Sequence, residues 1–218
     1  MTSRAAIVAV AALVLLGSTA CSFGGPSGPD VDAGGPPDDR PTIAVVGDSL
    51  TVQSEWAIHE HGDEAGFATH VDATNGFRTR DKQGAAEAVA ATRPDAAVVS
   101  LGTNDAVCAL ANGLLPGLCK PGPTFGLEDM DADLERMAAT LRQAGSCVVG
   151  VSVYFGHEVG QQFEQMVADG TLDGVVDWRS VVNADDQLRA DGIGHLTPAG
   201  QDAFAQLIID EAARICRL

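Results

Sequence analysis

Three short segments of this chain place a hydroxyl, a carboxamide and an imidazole just beyond apolar runs. They are Gly47-Asp48-Ser49-Leu50, Gly102-Thr103-Asn104-Asp105, and the stretch from Asp191 to Gly200 around His195. Together they supply the parts of an acyl-transfer site. Ser49 is the candidate nucleophile, Asn104 a donor to the oxyanion and His195 the general base. Asp191, four residues before the histidine, is the candidate carboxylate that orients the ring. A serine at such a turn is also a common helix N-cap, a role compatible with attack.

The elements that must position these groups alternate along the chain. Ile43-Ala44-Val45-Val46 reads as a buried strand ending at Gly47, followed by a helix from about Leu50 to Glu64. Phe67 to Ala73 reads as a second strand and Lys82 to Ala91 as an alanine-rich helix. Further strands are expected at Ala96–Leu101, Cys147–Val153 and Gly174–Trp178. Leu127, Met130, Leu134, Met137 and Leu141 recur at spacings of three and four, an amphipathic helix over 127–143. A polar helix is expected from about Val159 to Asp169. Pro198 opens a last helix with Ala203, Phe204, Leu207, Ile208 and Ala212 on one face.

Continuous apolar strands interleaved with helices predict a parallel sheet covered on both faces. In such sheets ligands bind beyond the carboxyl ends of the strands. Ser49, Gly76, Asn104 and the Tyr154–His157 segment all fall at that edge. Tyr154 and His157 are candidate substrate contacts, with a loop packing on itself as the alternative. Ala106 to Phe125 is Pro/Gly-rich with interspersed leucines and reads as a long connection. Such connections are often functional, and this one is expected to form a wall beside Asn104, with Leu114 and Leu115 lining an acyl or alcohol pocket.

These blocks resemble the GDSL, or SGNH, hydrolase family over nearly the whole stretch from Thr42 to about Cys216. The first block matches at Gly47-Asp48-Ser49-Leu50, the third at Gly102-Thr103-Asn104-Asp105, and the last at His195-Leu196-Thr197-Pro198-Ala199-Gly200. The second block is a lone glycine, for which Gly76 is the candidate. The resemblance implies a three-layer α/β/α flavodoxin-like fold with a five-stranded parallel sheet. It also implies an oxyanion hole from the N–H groups of Ser49 and Gly76 and the Asn104 amide, with no cofactor or metal. One spacing departs from the family, which usually places the aspartate three residues before the histidine. Gly192 and Gly194 would let the longer loop arch so that Asp191 still meets His195. Otherwise a backbone carbonyl orients the ring, with Asp185 and Asp186 as weaker substitutes. An imidazole base implies activity rising with pH through roughly 6–7.

Outside the candidate domain, the N-terminus reads as an export signal. Residues 1–20 hold Arg4, the apolar run Ala5–Leu16 and then small residues, too short a run for a bilayer span of about 20 residues. Cys21 stands at the expected cleavage point, in a segment resembling a lipoprotein lipobox in which Ser18 replaces the usual apolar residue. It is the candidate lipidation site, an ordinary secreted protein being the alternative. Residues 21–41, rich in Pro, Gly and Asp, read as a flexible tether, which leaves 42–218 as the folded domain.

Four cysteines remain, an even number suited to an oxidising compartment. Of the three possible pairings, Cys108–Cys119 with Cys147–Cys216 is the favoured one. A net charge of −17 argues against nucleic acid, anionic headgroups or polyphosphate as the main ligand. His59 and His61 lie two apart on one helix and make a poor metal pair. The expectation is thus an exported, monomeric serine esterase acting on a small-molecule, glycan or lipid ester, touching a membrane only through an N-terminal anchor. A glycan O-deacetylase or acyltransferase, or a non-catalytic binding lipoprotein, are the alternatives.

Overall fold

The first strand is apolar at every position from Ile43 to Val46, and that pattern decides the layers. Side chains alternate across a strand, so a run with no polar residue must be buried on both faces. In the computed structural model, which describes residues 39–114, 127–154, 157–192 and 194–218, this is what happens. Ala44 and Val46 face one core and Ile43 and Val45 the other.

The strands are β1 (Thr42–Gly47), β2 (Ala68–Ala73), β3 (Ala96–Ser100), β4 (Cys147–Val151) and β5 (Gly174–Val176). They form one parallel sheet in the order β2-β1-β3-β4-β5. On one face lie α2 (Gln83–Thr92), α3 (Thr103–Leu114), α4 (Leu127–Gln143) and α5 (His157–Ala168). Val89, Met130, Met137, Leu141 and Phe163 fill that core. On the other face lie α1 (Ser49–Ala65), α6 (Trp178–Ala184) and α7 (Pro198–Cys216), packed through Ile58, Trp178, Phe204, Ile208 and Ile209. The fold is the expected three-layer α/β/α arrangement. Cys147 at the start of β4 is disulfide-bonded to Cys216 at the end of α7, with Cα atoms 5.7 Å apart. Cys108 is also disulfide-bonded.

The chain leaves β1 for β2 on one side and then crosses back to β3 on the other, so the β1/β3 crevice is the topological switch point. Register aligns the carboxyl ends there: Gly47 is level with Ala73 on β2 and with Ser100 on β3. The turns carrying Ser49, Gly76 and Asn104 therefore open side by side.

Two expectations are corrected. The long connection from Ala106 is instead helical as far as Leu114. Ala106, Ala109, Leu110 and Ala111 are good helix formers, Ala106 is buried, and although Gly113 falls within the last turn, the first proline, Pro116, comes only after the helix. Gly174–Trp178 is strand only to Val176, because the Asp177 side chain accepts from Ser180 N and starts α6 at Trp178. The signal segment, most of the tether, Cys21, Leu115 and Cys119 lie outside the described residues. The described unit begins at Asp39.

Candidate active site

Ser49 stands at the first position of α1, directly behind the end of β1. The residue that caps the helix is Asp48, whose carboxylate accepts from Leu50 N at 3.1 Å. The Ser49 hydroxyl is therefore not consumed by capping. Gly47 is required by space, since a Cβ there would lie 2.0 Å from Thr51 Oγ1. As the first helical residue, Ser49 has an N–H with no acceptor inside the helix, and the helix dipole favours negative charge beside it.

Gly76 lies in a turn closed by Phe77 N donating to Thr74 O, with φ +74°, a conformation that favours glycine. Its N–H makes no backbone hydrogen bond among the described residues. Asn104, in the first turn of α3, donates through Nδ2 to Phe77 O at 2.9 Å, and the same nitrogen is 3.3 Å from Asp48 Oδ2. The turns after β1, β2 and β3 are thus tied together by one carboxamide.

His195 arrives on the loop before α7. Arg189 pairs with Leu196 in an antiparallel bridge, and Ala190 N donates to His195 O at 2.7 Å, so the segment between folds back as a narrow loop. At its tip both Asp191 oxygens are engaged by His195. Oδ2 is 2.6 Å from Nδ1 and Oδ1 accepts from the backbone N at 3.1 Å. Gly194, at φ +98°, absorbs the bend that the extra residue requires. Asp185 instead caps a short 3₁₀ turn through Gln187 N. Leu196 N donates to Gln53 Oε1 at 3.0 Å, which pins the loop to α1 one turn past Ser49. Ser49 and His195 are not hydrogen-bonded to each other among the described contacts. In unliganded sites such bonds are often long and close with substrate.

Tyr154 backs this loop. Arg189 lies over its ring at 4.5 Å and donates to its hydroxyl at 2.8 Å, and a Cβ on Gly194 would sit 3.4 Å from the ring. His157 is the first residue of α5, and Leu114 ends α3. His59 and His61 are hydrogen-bonded to Thr69 and Asp202, fastening α1 to β2 and α7. No cluster of three or more potential metal ligands occurs among the described residues.

Solved structures share this architecture. TesA is 19% identical, with 80% of this chain covering 99% of that one at a TM-score of 0.60. A GDSL-like lipase from Parabacteroides merdae is 14% identical, covering 81% and 96%, TM-score 0.61. A mutant of Axe2, an acetylxylan esterase from Geobacillus stearothermophilus, is 13% identical, covering 81% and 94%, TM-score 0.60. The fold is that of the GDSL/SGNH hydrolases. No protein-family model matches the sequence, and no curated protein matches it either.

Within this GDSL/SGNH fold, sequence reasoning left several site residues without a role. Asp48 and Asp105 are inside the quoted motifs but are fully buried acids, with 1% and 0% exposure. Burial pushes Asp48 up to about 7 and raises Asp105 as well, the latter opposed by bonds from the Thr79 N–H and hydroxyl. Gln53 and Arg189 sit on no recognisable motif, and only the contacts described above reveal them.

Proposed function

We propose that this chain is a serine esterase that hydrolyses carboxylic esters through an acyl-Ser49 intermediate. The observation that carries this reading is the Asp191–His195 couple, held by two hydrogen bonds on a loop pinned one turn from Ser49. Asp191 holds Nδ1, so Nε2 is left to take the Ser49 proton as Oγ attacks the ester carbonyl. The oxyanion meets the N–H groups of Ser49 and Gly76 and the Asn104 amide, each donor contributing about 3 kcal/mol to the transition state. His195 then protonates the leaving alcohol, and water, activated by the same imidazole, releases the acyl group. The fold neighbours that are themselves esterases support this chemistry. The acetylxylan esterase among them makes acetylated glycans the first substrates to screen.

The same proposal places the enzyme outside the cytoplasm, led there by residues 1–20 and anchored by lipid on Cys21. The apolar run, the cysteine at its end and the tether that follows support that placement.

Intact mass after fluorophosphonate treatment tests the mechanism. A single adduct that disappears in Ser49→Ala, together with loss of 4-nitrophenyl acetate hydrolysis in that variant, is the expected result. Absence of any adduct on the folded protein would refute an activated Ser49 and favour a binding lipoprotein.

A further inference from the structure

Asp48 sits where the loops of the site converge, and its hydrogen bonds expose a conflict at the oxyanion donor. Its Oδ1 accepts from Leu50 N, the Thr103 hydroxyl donates to the carboxylate, and its Oδ2 lies 3.3 Å from Asn104 Nδ2. That carboxamide nitrogen carries two hydrogens. One is given to Phe77 O at 2.9 Å, and the other is directed at Asp48. At rest, neither is left over for a substrate. The bond to Phe77 is the shorter of the two and ties the Gly76 turn to α3, so the longer contact to Asp48 is the one that must yield when an oxyanion forms.

We propose that Asp48 is a positioning residue whose protonation state decides whether Asn104 serves the oxyanion: protonated, it releases the amide hydrogen, and ionised, it retains it. The idea rests on the esterase reading above. A hydrogen bond to a carboxylate is roughly twice as strong as one to a neutral acceptor, so the ionised form competes with the oxyanion and the neutral form competes poorly. The ionised form also places a negative charge beside the charge that develops in the transition state. The proton Asp48 loses goes to solvent, and no bond of the substrate is involved.

Several groups bear on this equilibrium. Burial of Asp48 is the largest influence and favours the neutral acid. Asp105, from α3, pushes in the same direction by its charge. Leu50 N, the Thr103 hydroxyl and the charge of His195 favour ionisation. Arg78, from the turn before α2, acts on Asp105. The balance stands at about 7, so the switch operates near neutrality.

Catalysis then requires His195 neutral and Asp48 protonated, which gives a bell-shaped profile. The alkaline limb belongs to kcat and not to KM, because the oxyanion contact is made only in the transition state. Acetate release from 4-nitrophenyl acetate, followed from pH 5 to 9, tests this. Wild-type kcat is expected to fall about tenfold per pH unit above a midpoint near 7, with KM level. Asp48→Asn, which imitates the protonated acid, is expected to abolish the fall. Thr103→Val removes a hydrogen bond that favours the ionised form and is expected to move the midpoint upward, so the idea stays testable if Asp48→Asn does not fold. The side-chain amide resonance of Asn104 should titrate with the same midpoint, a readout independent of turnover. A wild-type kcat that stays flat to pH 9, an alkaline limb that survives in Asp48→Asn, or an Asn104 amide that does not titrate would each overturn the proposal. If no ester is turned over and Ser49 is not labelled, the esterase reading fails instead, and the Asn104 titration alone decides the behaviour of Asp48.

Discussion

Asp191 meets His195 although one more residue separates them than is usual in the GDSL/SGNH family that the motifs resemble. The carboxylate bonds both the ring and the backbone of His195, so it fixes orientation as well as tautomer. Asp191→Asn would put an amide where Nδ1–H needs an acceptor, favouring the wrong tautomer. We expect kcat to fall by about 10³–10⁴-fold with KM little changed, measured by ester turnover under saturating substrate. A loss under tenfold would mean that the ring is oriented by something else. Asp48 is the second informative residue. Its cap on α1 leaves the Ser49 hydroxyl free of capping, and the same carboxylate reaches Asn104, so one buried acid bears on both the proposed nucleophile and the proposed oxyanion donor.

At the scale of elements, the site depends on how a loop is fastened to a helix. The His195 loop is closed by the Arg189–Leu196 bridge, backed by Tyr154 and pinned to α1 by Gln53. Gln53 touches neither the proposed nucleophile nor the acid–base pair in any described hydrogen bond, so its effect on rate would be indirect. Gln53→Ala leaves the Leu196 N–H without its acceptor and loosens the loop one residue from His195. A fall in kcat of about tenfold is expected, since small misplacements of a general base cost rate steeply. Fluorophosphonate labelling of Ser49 should slow in parallel. Unchanged labelling would show that the loop holds its place without this link.

For the whole molecule, the buried acids set how stability responds to pH. Asp48 is raised to about 7 in the folded chain, whereas in the unfolded chain it titrates near its ordinary value of 3.8. Between those values the folded state binds more protons, so stability falls as pH rises through that window. Asp105 is raised too and adds in the same direction. Asp177 and Glu211 are lowered by their hydrogen bonds, from Ser180 and Ser152 and from Arg214, and destabilise only as the medium becomes more acid than their ordinary values. A net charge of −17 strengthens self-repulsion toward higher pH. Thermal unfolding should therefore show a higher Tm at pH 5 than at pH 7.5. The difference should shrink in Asp48→Asn, and a Tm that rises over this range would contradict the assignment.

Much of this protein is decided by local pattern. Uninterrupted apolar runs such as Ile43–Val46 require burial on both faces, and their alternation with helical periodicity leads to a layered parallel sheet whose carboxyl edge carries Ser49, Gly76 and Asn104. The seventeen residues of α4 are marked by spacing alone. Where pattern failed, the deciding forces were not local. Composition made a loop of the residues after Asn104, yet Ala106 and its neighbours gain helix by packing on a core that the sequence does not display. The spacing of Asp191 left its role open, because loop closure depends on Gly194, Tyr154 and Gln53 meeting across distant elements. Asp48 and Asp105 lie inside the motifs, where residue type and spacing gave them no role. Only burial, a property of the assembled fold, strips away the water that favours ionisation, raises both acids and brings one of them against Asn104.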